Sequence, residues 1–191
     1  MPEKIRGKVD IMIIKVRENL EMRVREATPE NAEESYNIID KNRNYLREYL
    51  PWADGTELSG HLVTLEKWQK ACEDKNEFVF GICLDGKYIG NIGLHDVKSN
   101  NNSAMIGYWL SEDWQGKGIM TDCVKALANF GFYELDLNRI WISCAFENKK
   151  SRAIPERLGF VQEGIFQDGT ILHGVYHDYV IYGVVKRNWG K

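Results

Sequence analysis

Short apolar or alternating segments recur along the 191-residue chain and predict β-strands. Alternation is clear at Met22 and Val24, where every second position is apolar. Two later segments are joined by Asp85-Gly86, a dipeptide typical of a two-residue hairpin turn. The predicted strands span 10–16, 20–27, 77–84, 87–97, 101–110 and 139–146, with a final pair inside 163–187.

Four segments have helical spacing or clear helix-start signals. Thr28-Pro29-Glu30 combines a capping residue, a proline at the first helical position and an acid in the first turn. It predicts a helix over 29–50 that the following proline ends. Further helices are predicted over 64–74, 119–135 and 151–160. Pro155 removes one hydrogen bond from the last of these, so we expect that helix to start late or to bend.

The order of the elements is strand, helices, three strands, helix, strand, helix and two strands. It predicts a single α/β (α+β) domain over residues 1–191, without linkers or repeats. The mixed central sheet should contain about six to seven strands, flanked by about four helices. Parallel pairing is expected in the strand-helix-strand unit, and antiparallel pairing in the hairpins around it.

Composition narrows the class of protein. Hydrophobic residues make up 43% and aromatic residues 12%, enough for a packed core. The net charge of −3 argues against a nucleic-acid-binding protein that relies on bulk charge. No apolar run approaches the roughly 18 residues of a membrane span, and charges interrupt the N-terminal stretch, so neither membrane association nor a signal peptide is expected.

The four cysteines are widely separated, at Cys72, Cys83, Cys123 and Cys144. Their spacing matches neither a disulfide framework nor a zinc site. Free, mostly buried thiols, no bound metal and a cytoplasmic location are therefore the expectation.

A glycine-rich turn, SEDWQGKG, separates the predicted strand ending at Leu110 from the predicted helix starting at Ile119. A helix start offers about four free N–H groups and the positive end of a dipole, and glycine lets a ligand approach the backbone closely. Such a turn suits an anion, above all a phosphate. Neither the Walker pattern nor G-x-G-x-x-G fits, and a plain strand-to-helix turn is the alternative.

The segment WQGKGIM resembles the Q/R-x-x-G-x-G/A segment of the GNAT acetyltransferases, whose loop amides grip the pyrophosphate of acetyl-CoA. Gln115 and Gly118 match, whereas Met120 stands where Gly or Ala is usual. The longer segment IGYWLSEDWQGKGIMT resembles the branch that contains the RimJ/RimL ribosomal-protein N-acetyltransferases, where Met is common at that position. Three further segments resemble the same branch: NYLREYLPW, residues 137–164 with their N-x-x-S segment, and HDYVIYGVVKRNW. The resemblance spans about 20–189, the expected domain core.

This resemblance implies that two strands, here 104–110 and 139–146, splay apart to form the acetyl-CoA cleft, where the pantetheine arm pairs like an extra strand. Amides from Gln115 to Thr121 would hold the pyrophosphate. Amides from Trp109 to Ser111 would contact pantetheine and the acetyl oxygen. Lys117 either adds charge near the phosphates or is a solvated lysine. The predicted cofactor-binding residues are Trp109, Leu110, Ser111, Gln115, Gly116, Lys117, Gly118, Ile119, Met120, Thr121, Asn148 and Ser151.

Acetyl transfer to an amine also needs a neutral amine and a thiolate that can leave. The resemblance implies that Asn148 contacts pantetheine and that Ser151 lies near the thioester sulfur, where its hydroxyl donates to the leaving thiolate. A helix N-cap is the alternative role for Ser151. Glu163 is the first candidate for the catalytic base. Further candidates are Asp168, His177 and Asp178, then His95 and Glu112.

The resemblance implies an acetyl-CoA-dependent N-acetyltransferase that modifies a primary amine. The first choice of acceptor is a protein N-terminus, as in ribosomal-protein acetyltransferases, and a small amine such as a polyamine or an amino-sugar drug is the second. The segments 42–52 and 54–60 are expected to line the acceptor side, with Tyr49 and Trp52 either shaping a pocket or packing in the core.

Two alternatives belong to other classes: a non-catalytic acyl-CoA-binding sensor, and another type of phosphate- or nucleotide-binding module. The expected partners are acetyl-CoA and the acceptor, with no nucleic acid or membrane. An edge of the C-terminal strands is compatible with a homodimer.

Overall fold

An eight-stranded sheet organises the protein. The structure, a computed structural model, describes residues 12–97 and 100–190. The strands are β1 (Ile13–Arg17), β2 (Leu20–Arg23), β3 (Phe78–Leu84), β4 (Lys87–His95), β5 (Ser103–Leu110), β6 (Arg139–Ala145), β7 (Val161–Leu172) and β8 (Val175–Val185). The expected six to seven strands were too few, because the predicted order counted the N-terminal segments 10–16 and 20–27 as a single strand, whereas they form β1 and β2. The first two residues of the segment predicted over 10–16 lie outside the described residues.

The strands follow the order β1-β2-β3-β4-β5-β6-β8-β7. All neighbours pair antiparallel except β5 and β6, which are parallel. The parallel pairing expected in the strand-helix-strand unit is therefore confirmed. The β3–β4 hairpin is also confirmed, and its turn residues Asp85 and Gly86 both have positive φ, 50° and 75°, as a two-residue turn of this hand requires.

Five α-helices occur in the described part of the chain, one more than expected. They are α1 (Pro29–Lys41), α2 (Arg43–Leu46), α3 (Leu58–Glu73), α4 (Ile119–Tyr133) and α5 (Lys149–Arg157). The start of α1 is as predicted: Thr28 accepts a hydrogen bond from the Asn31 amide, with proline at the first helical position.

The single helix predicted over 29–50 was wrong, because the chain breaks at Asn42. The side-chain nitrogen of Asn42 donates to the Ile38 carbonyl (2.8 Å), and its side-chain oxygen accepts from the Glu112 amide (2.9 Å). Side-chain hydrogen bonds of this kind compete with regular helix formation. They also tie the first helices to the segment that follows β5.

Helix α3 begins at Leu58, six residues before the predicted start. Its buried residues are His61 and Leu65, one turn apart. The segment 54–60 is polar and contains two glycines, so its local sequence does not indicate a helix start. Tertiary burial decides the start of this helix rather than local propensity.

The two faces of the sheet bury different clusters. On one face, α4 packs Leu127 and Phe132 against residues of the sheet such as Leu94, all fully buried. On the other face, Tyr88 and Trp109 pack against α1 and α2. Burying each such apolar side chain stabilises the folded state by about 1.5–3 kcal/mol. None of the described helices combines the length and hydropathy needed to cross a membrane.

Candidate active site

The β5–β6 pair opens along its length. The two strands are paired only at Ser103↔Arg139, Ala104↔Ile140 and Met105↔Trp141 in the described sheet. Beyond these positions β5 stays paired with β4 through Leu110, and β6 stays paired with β8 through Ala145. The two strands therefore diverge and leave a cleft between 106–110 and 142–145.

Alternate backbone amides at the end of β5 point into this cleft. The Ser111 amide donates to the Ile89 carbonyl at 2.8 Å, so it points toward β4. Successive N–H groups of a strand point to opposite sides, so the Trp109 amide shares that direction and the Leu110 amide points toward β6. Of the three amides proposed from the sequence, Leu110 is thus the one directed into the cleft.

The segment between β5 and α4 has the backbone that close approach to a ligand requires. Gly116 and Gly118 have φ values of 70° and 74°, a region that favours glycine. Gly118 is the N-cap of α4 and provides no side-chain hydrogen bond to the helix. A Cβ atom added at either glycine would contact no other residue within 4 Å. The loop amides therefore border open space at the start of a 15-residue helix.

Charged side chains fix this loop. Lys117 donates to the Asp113 carbonyl (3.0 Å) and lies over the Trp114 ring, 4.4 Å from its centroid. From α5, Lys150 donates to Gln115 Oε1 at 3.2 Å. The latter contact joins the segments that follow the two diverging strands. Lys150 was missed in the sequence, although its position beside the N-x-x-S segment was a usable signal.

Ser151 lies in the first turn of α5 and is not its cap. Asn148 is the N-cap, and its side-chain oxygen accepts from the Ser151 amide at 3.1 Å. The interpretation of Ser151 as N-cap was therefore wrong, because the helix begins at Lys149. The expected late start is wrong for the same reason, and Pro155 lies inside the helix.

Tyr108 compensates for the hydrogen bond that Pro155 cannot make. In a regular helix the N–H of residue 155 would donate to the Ser151 carbonyl, but proline has no N–H. Instead the Tyr108 hydroxyl lies 3.1 Å from that carbonyl oxygen and 3.1 Å from Ser151 Oγ. Burial raises the pKa of Tyr108 well above its ordinary value, so the phenol stays protonated and can donate.

Tyr108→Phe should therefore lower the free energy of unfolding by about 0.5–1.5 kcal/mol, since it leaves a partly buried carbonyl without its donor. Urea denaturation would measure this loss. In a Pro155→Ala background the restored helical N–H can satisfy Ser151, so the same substitution should have a smaller effect. Equal losses in the two backgrounds would contradict this account of the proline.

The base candidates taken from the sequence are not brought together. Glu163 forms an ion pair with Arg139, at the end of β6 that is still paired with β5. Asp178 accepts from the Asp168 amide at 3.1 Å in the β7–β8 hairpin. His177 Nδ1 lies 3.4 Å from Glu147. None of these side chains reaches the cavity described next.

A cavity of about 570 Å³ opens on the α1–α3 side of β4 and β5. Its wall includes Trp52, Trp68, Tyr108 and Trp109 among the aromatic residues. The side chains that can accept or donate a proton or hydrogen bond on this wall include Glu57, Ser59, His61, Thr64, Asn91 and His95. Residues 107–109 of β5 also line it, so the cavity borders the strand that forms one side of the cleft.

The segments 42–52 and 54–60 were expected on the acceptor side. Leu50, Trp52 and residues 55–57 line the cavity, whereas Tyr49 is not among its lining residues. Trp68 and Asn91 were missed, because a tryptophan in a helix or a polar residue in a strand gives no directional signal by itself.

Comparison with known proteins assigns the class. A family model described as the acetyltransferase (GNAT) domain matches residues 21–161. The chain is 37% identical over 177 residues to the putative ribosomal N-acetyltransferase YdaF of Bacillus subtilis, covering 92% of this chain and 96% of that protein. It is 29% identical over 178 residues to the ribosomal-protein-serine acetyltransferase of Escherichia coli, covering 88% and 94%.

A solved structure shows the same architecture. RimL, the ribosomal L7/L12 alpha-N-protein acetyltransferase in complex with coenzyme A, superposes with a TM-score of 0.85 at 27% identity, covering 91% of this chain and 98% of that one. The chain belongs to the GNAT acetyltransferase family and is an N-acetyltransferase. The predicted family, RimJ/RimL-like branch and enzyme class are confirmed.

Proposed function

We propose that this enzyme transfers the acetyl group of acetyl-CoA to a free α-amino group at the N-terminus of a protein, with a ribosomal protein as the natural acceptor. The observation that carries the proposal is that the β5–β6 cleft and the aromatic cavity both border the end of β5. The β5–β6 cleft suits the donor, and the aromatic cavity on the opposite side suits the acceptor. Two relatives support this acceptor class by their names, a putative ribosomal N-acetyltransferase and a ribosomal-protein-serine acetyltransferase.

The donor side fits acetyl-CoA in its shape and its hydrogen-bond donors. Amides from Gln115 to Thr121 surround the start of α4, where the dipole and the free N–H groups favour a pyrophosphate. The open space at Gly116 and Gly118 gives the phosphates access to these amides. Leu110 N–H is the donor placed for the acetyl oxygen or the pantetheine arm. Asn148 remains a predicted pantetheine contact, on the turn that begins α5.

The acceptor cavity favours one amine with an apolar or aromatic neighbour over a polyamine. Its lining carries Glu57 as a carboxylate, together with several aromatic rings. A polyamine carries several positive charges, and burying them without partners is unfavourable. An α-amino group has a pKa of ~7.7–8.0, against ~10.4 for a lysine side chain, so it loses its proton more readily near neutral pH.

Ser151 is placed to assist departure of the thiolate. Its hydroxyl lies beside the Tyr108 hydroxyl, behind the cleft between the two strands. As the C–S bond breaks, the Ser151 O–H can turn from the Tyr108 oxygen and donate to the sulfur, while Tyr108 keeps its bond to the Ser151 carbonyl. Such a donor acts where charge develops in the transition state.

Short peptides would test the acceptor class. We expect acetylation of a lysine-free peptide with a free N-terminus, and no acetylation of a lysine-containing peptide whose N-terminus is formylated. Release of free thiol gives the rate, and fragmentation mass spectrometry locates the acetyl group. Preferred transfer to the lysine side chain, or to spermidine, would contradict the proposal.

A homodimer and a cytoplasmic location stay predictions. Strand β7 ends the sheet, and its exposed apolar side chains include Val161, Phe166 and Ile171. An exposed apolar edge of this kind is suited to pairing with a second copy. A ribosomal-protein acceptor would itself place the enzyme in the cytoplasm.

A further inference from the structure

A histidine–carboxylate pair lies on the wall of the acceptor cavity. His95 is the last residue of β4, and its Nδ1 lies 3.1 Å from Oε2 of Glu77. An ionised carboxylate only accepts hydrogen bonds, so this contact places the imidazole proton on Nδ1. The other nitrogen, Nε2, then has a free lone pair and can accept a proton.

Two glycines make room for that nitrogen. Gly93 on β4 and Gly107 on β5 are directly paired, and both line the cavity with His95. A Cβ atom at Gly93 would lie 3.0 Å from Nε2 of His95, and one at Gly107 would lie 3.4 Å from it. The imidazole therefore lies over this glycine pair, on the cavity side of the sheet. Within residues 12–97 and 100–190, Nε2 forms no hydrogen bond with the protein.

The second histidine of the cavity is already engaged. His61 is buried, and its Nε2 lies 2.8 Å from the Ser35 hydroxyl. Burial, and then the charge of Arg25, lowers the pKa of His61, which disfavours its protonation. His95, in contrast, is partly open to the cavity, and its Nε2 has no protein partner among the described residues.

We propose that Nε2 of His95 accepts the proton released by the acceptor amine, and that Glu77 positions the imidazole for this role. The proposal rests on the function proposed above. The acceptor enters as an ammonium ion and loses one proton toward His95. Its nitrogen then bonds to the acetyl carbon, the C–S bond breaks, and the nitrogen's second surplus proton ends on the thiolate. The proton on His95 passes to solvent, so that ammonium ion and thioester give amide, thiol and one released proton.

The distance between the acceptor amine and His95 determines how the proton travels between them. Gly107 precedes Leu110 by three residues, which corresponds to ~10 Å along a strand. One or two water molecules in the cavity therefore connect the amine near Leu110 with His95. The polar side chains on the cavity wall can hold such water.

The decisive experiment compares His95→Gln with wild type on the best amine found in the acceptor screen. We expect kcat to fall ~100-fold, the usual scale for loss of a general base, with acetyl-CoA affinity unchanged. In the variant, the decline of kcat/KM toward acid pH should follow the ionisation of the acceptor amine alone. Other titratable groups on the surrounding elements are Glu57, His61, Asp96 and Tyr108, besides Glu77, and they are intact in this variant.

Two further variants separate a chemical role from a structural one. In His95→Ala, added imidazole should restore part of the rate, since the cavity can admit a small ring. Glu77→Gln should lower kcat by a smaller factor, because it keeps the shape but loses the charge. If His95→Gln does not fold, the imidazole rescue of His95→Ala and the kinetics of Glu77→Gln test the proposal.

His177→Gln is the matched control. His177 pairs with Glu147 at 3.4 Å, and its side chain is 29% exposed against 28% for His95, but it lies outside the cavity. We expect unchanged kinetics there. Wild-type kcat in His95→Gln, or an equal loss in His177→Gln, would overturn the proposal. A wild-type enzyme active only on other amines would contradict the proposed acceptor, while the effect of His95→Gln on those amines would still decide the role of His95.

Discussion

Gly118→Val should weaken acetyl-CoA binding at least tenfold. The added side chain contacts no protein atom within 4 Å at its Cβ, so it occupies the open space in front of the α4 amides. This is the space proposed for the pyrophosphate. The substitution also strains a backbone with φ of 74°, which costs a non-glycine residue about 1–2 kcal/mol. Calorimetric titration measures the affinity for acetyl-CoA, and titrations with ATP and NAD are the controls.

Gly86→Val separates these two effects. Gly86 has φ of 75° and equally open surroundings, but it lies in the β3–β4 turn. It should lose similar stability and keep its affinity for acetyl-CoA. Unchanged affinity in Gly118→Val would contradict the assignment of the loop to the pyrophosphate, and equal weakening in both variants would assign the effect to general strain.

The parts of the fold that follow local rules could be predicted from the sequence. Thr28-Pro29 marks the start of α1, Asp85-Gly86 makes the hairpin, and α4 begins at Ile119 as expected. Each of these depends on the backbone preferences of a few adjacent residues. The glycine turn and its neighbours also carried the family resemblance, which the comparisons confirm.

The errors occur where distant residues decide local structure. The break at Asn42 depends on the Glu112 amide, seventy positions away in the chain. The role of Pro155 depends on Tyr108, which supplies the donor that the helix lacks. Periodicity within a segment contains no information about such partners. The cap of α5 is a different case, because Asn148 lies only three positions before Ser151 and is itself a favoured capping residue.

The acceptor side was the least predictable part of the site. His95 and Glu77 are separated by 18 positions, and their pairing depends on the register of β3 against β4. The glycines that accommodate the imidazole look like ordinary strand glycines in the sequence. Glu163 is an acid on the strand after α5, but the fold places Arg139 beside it. Proximity to a motif in the chain was therefore a poor guide to proximity to the cavity.

Ser151→Ala should lower kcat by roughly 10²–10³-fold, the range found when one donor to a developing anion is removed. Acetyl-CoA affinity should be nearly unchanged, because the pyrophosphate contacts come from the α4 loop. The stability should also be retained. Asn148 is the cap of α5, alanine favours a helix slightly more than serine does, and Tyr108 still has the Ser151 carbonyl as acceptor. Steady-state kinetics and calorimetry with acetyl-CoA measure the two quantities separately.

Ser151→Thr is the matched variant, since it keeps a hydroxyl on the same carbon. It should recover a large part of the rate that Ser151→Ala loses. Turnover at the wild-type level in Ser151→Ala would remove the serine from the chemistry. A loss of turnover accompanied by an equal loss of thermal stability would mean that the hydroxyl serves mainly to hold Tyr108. A selective loss of kcat would instead place the departing sulfur beside Ser151, and with it the acetyl group between the diverging ends of β5 and β6.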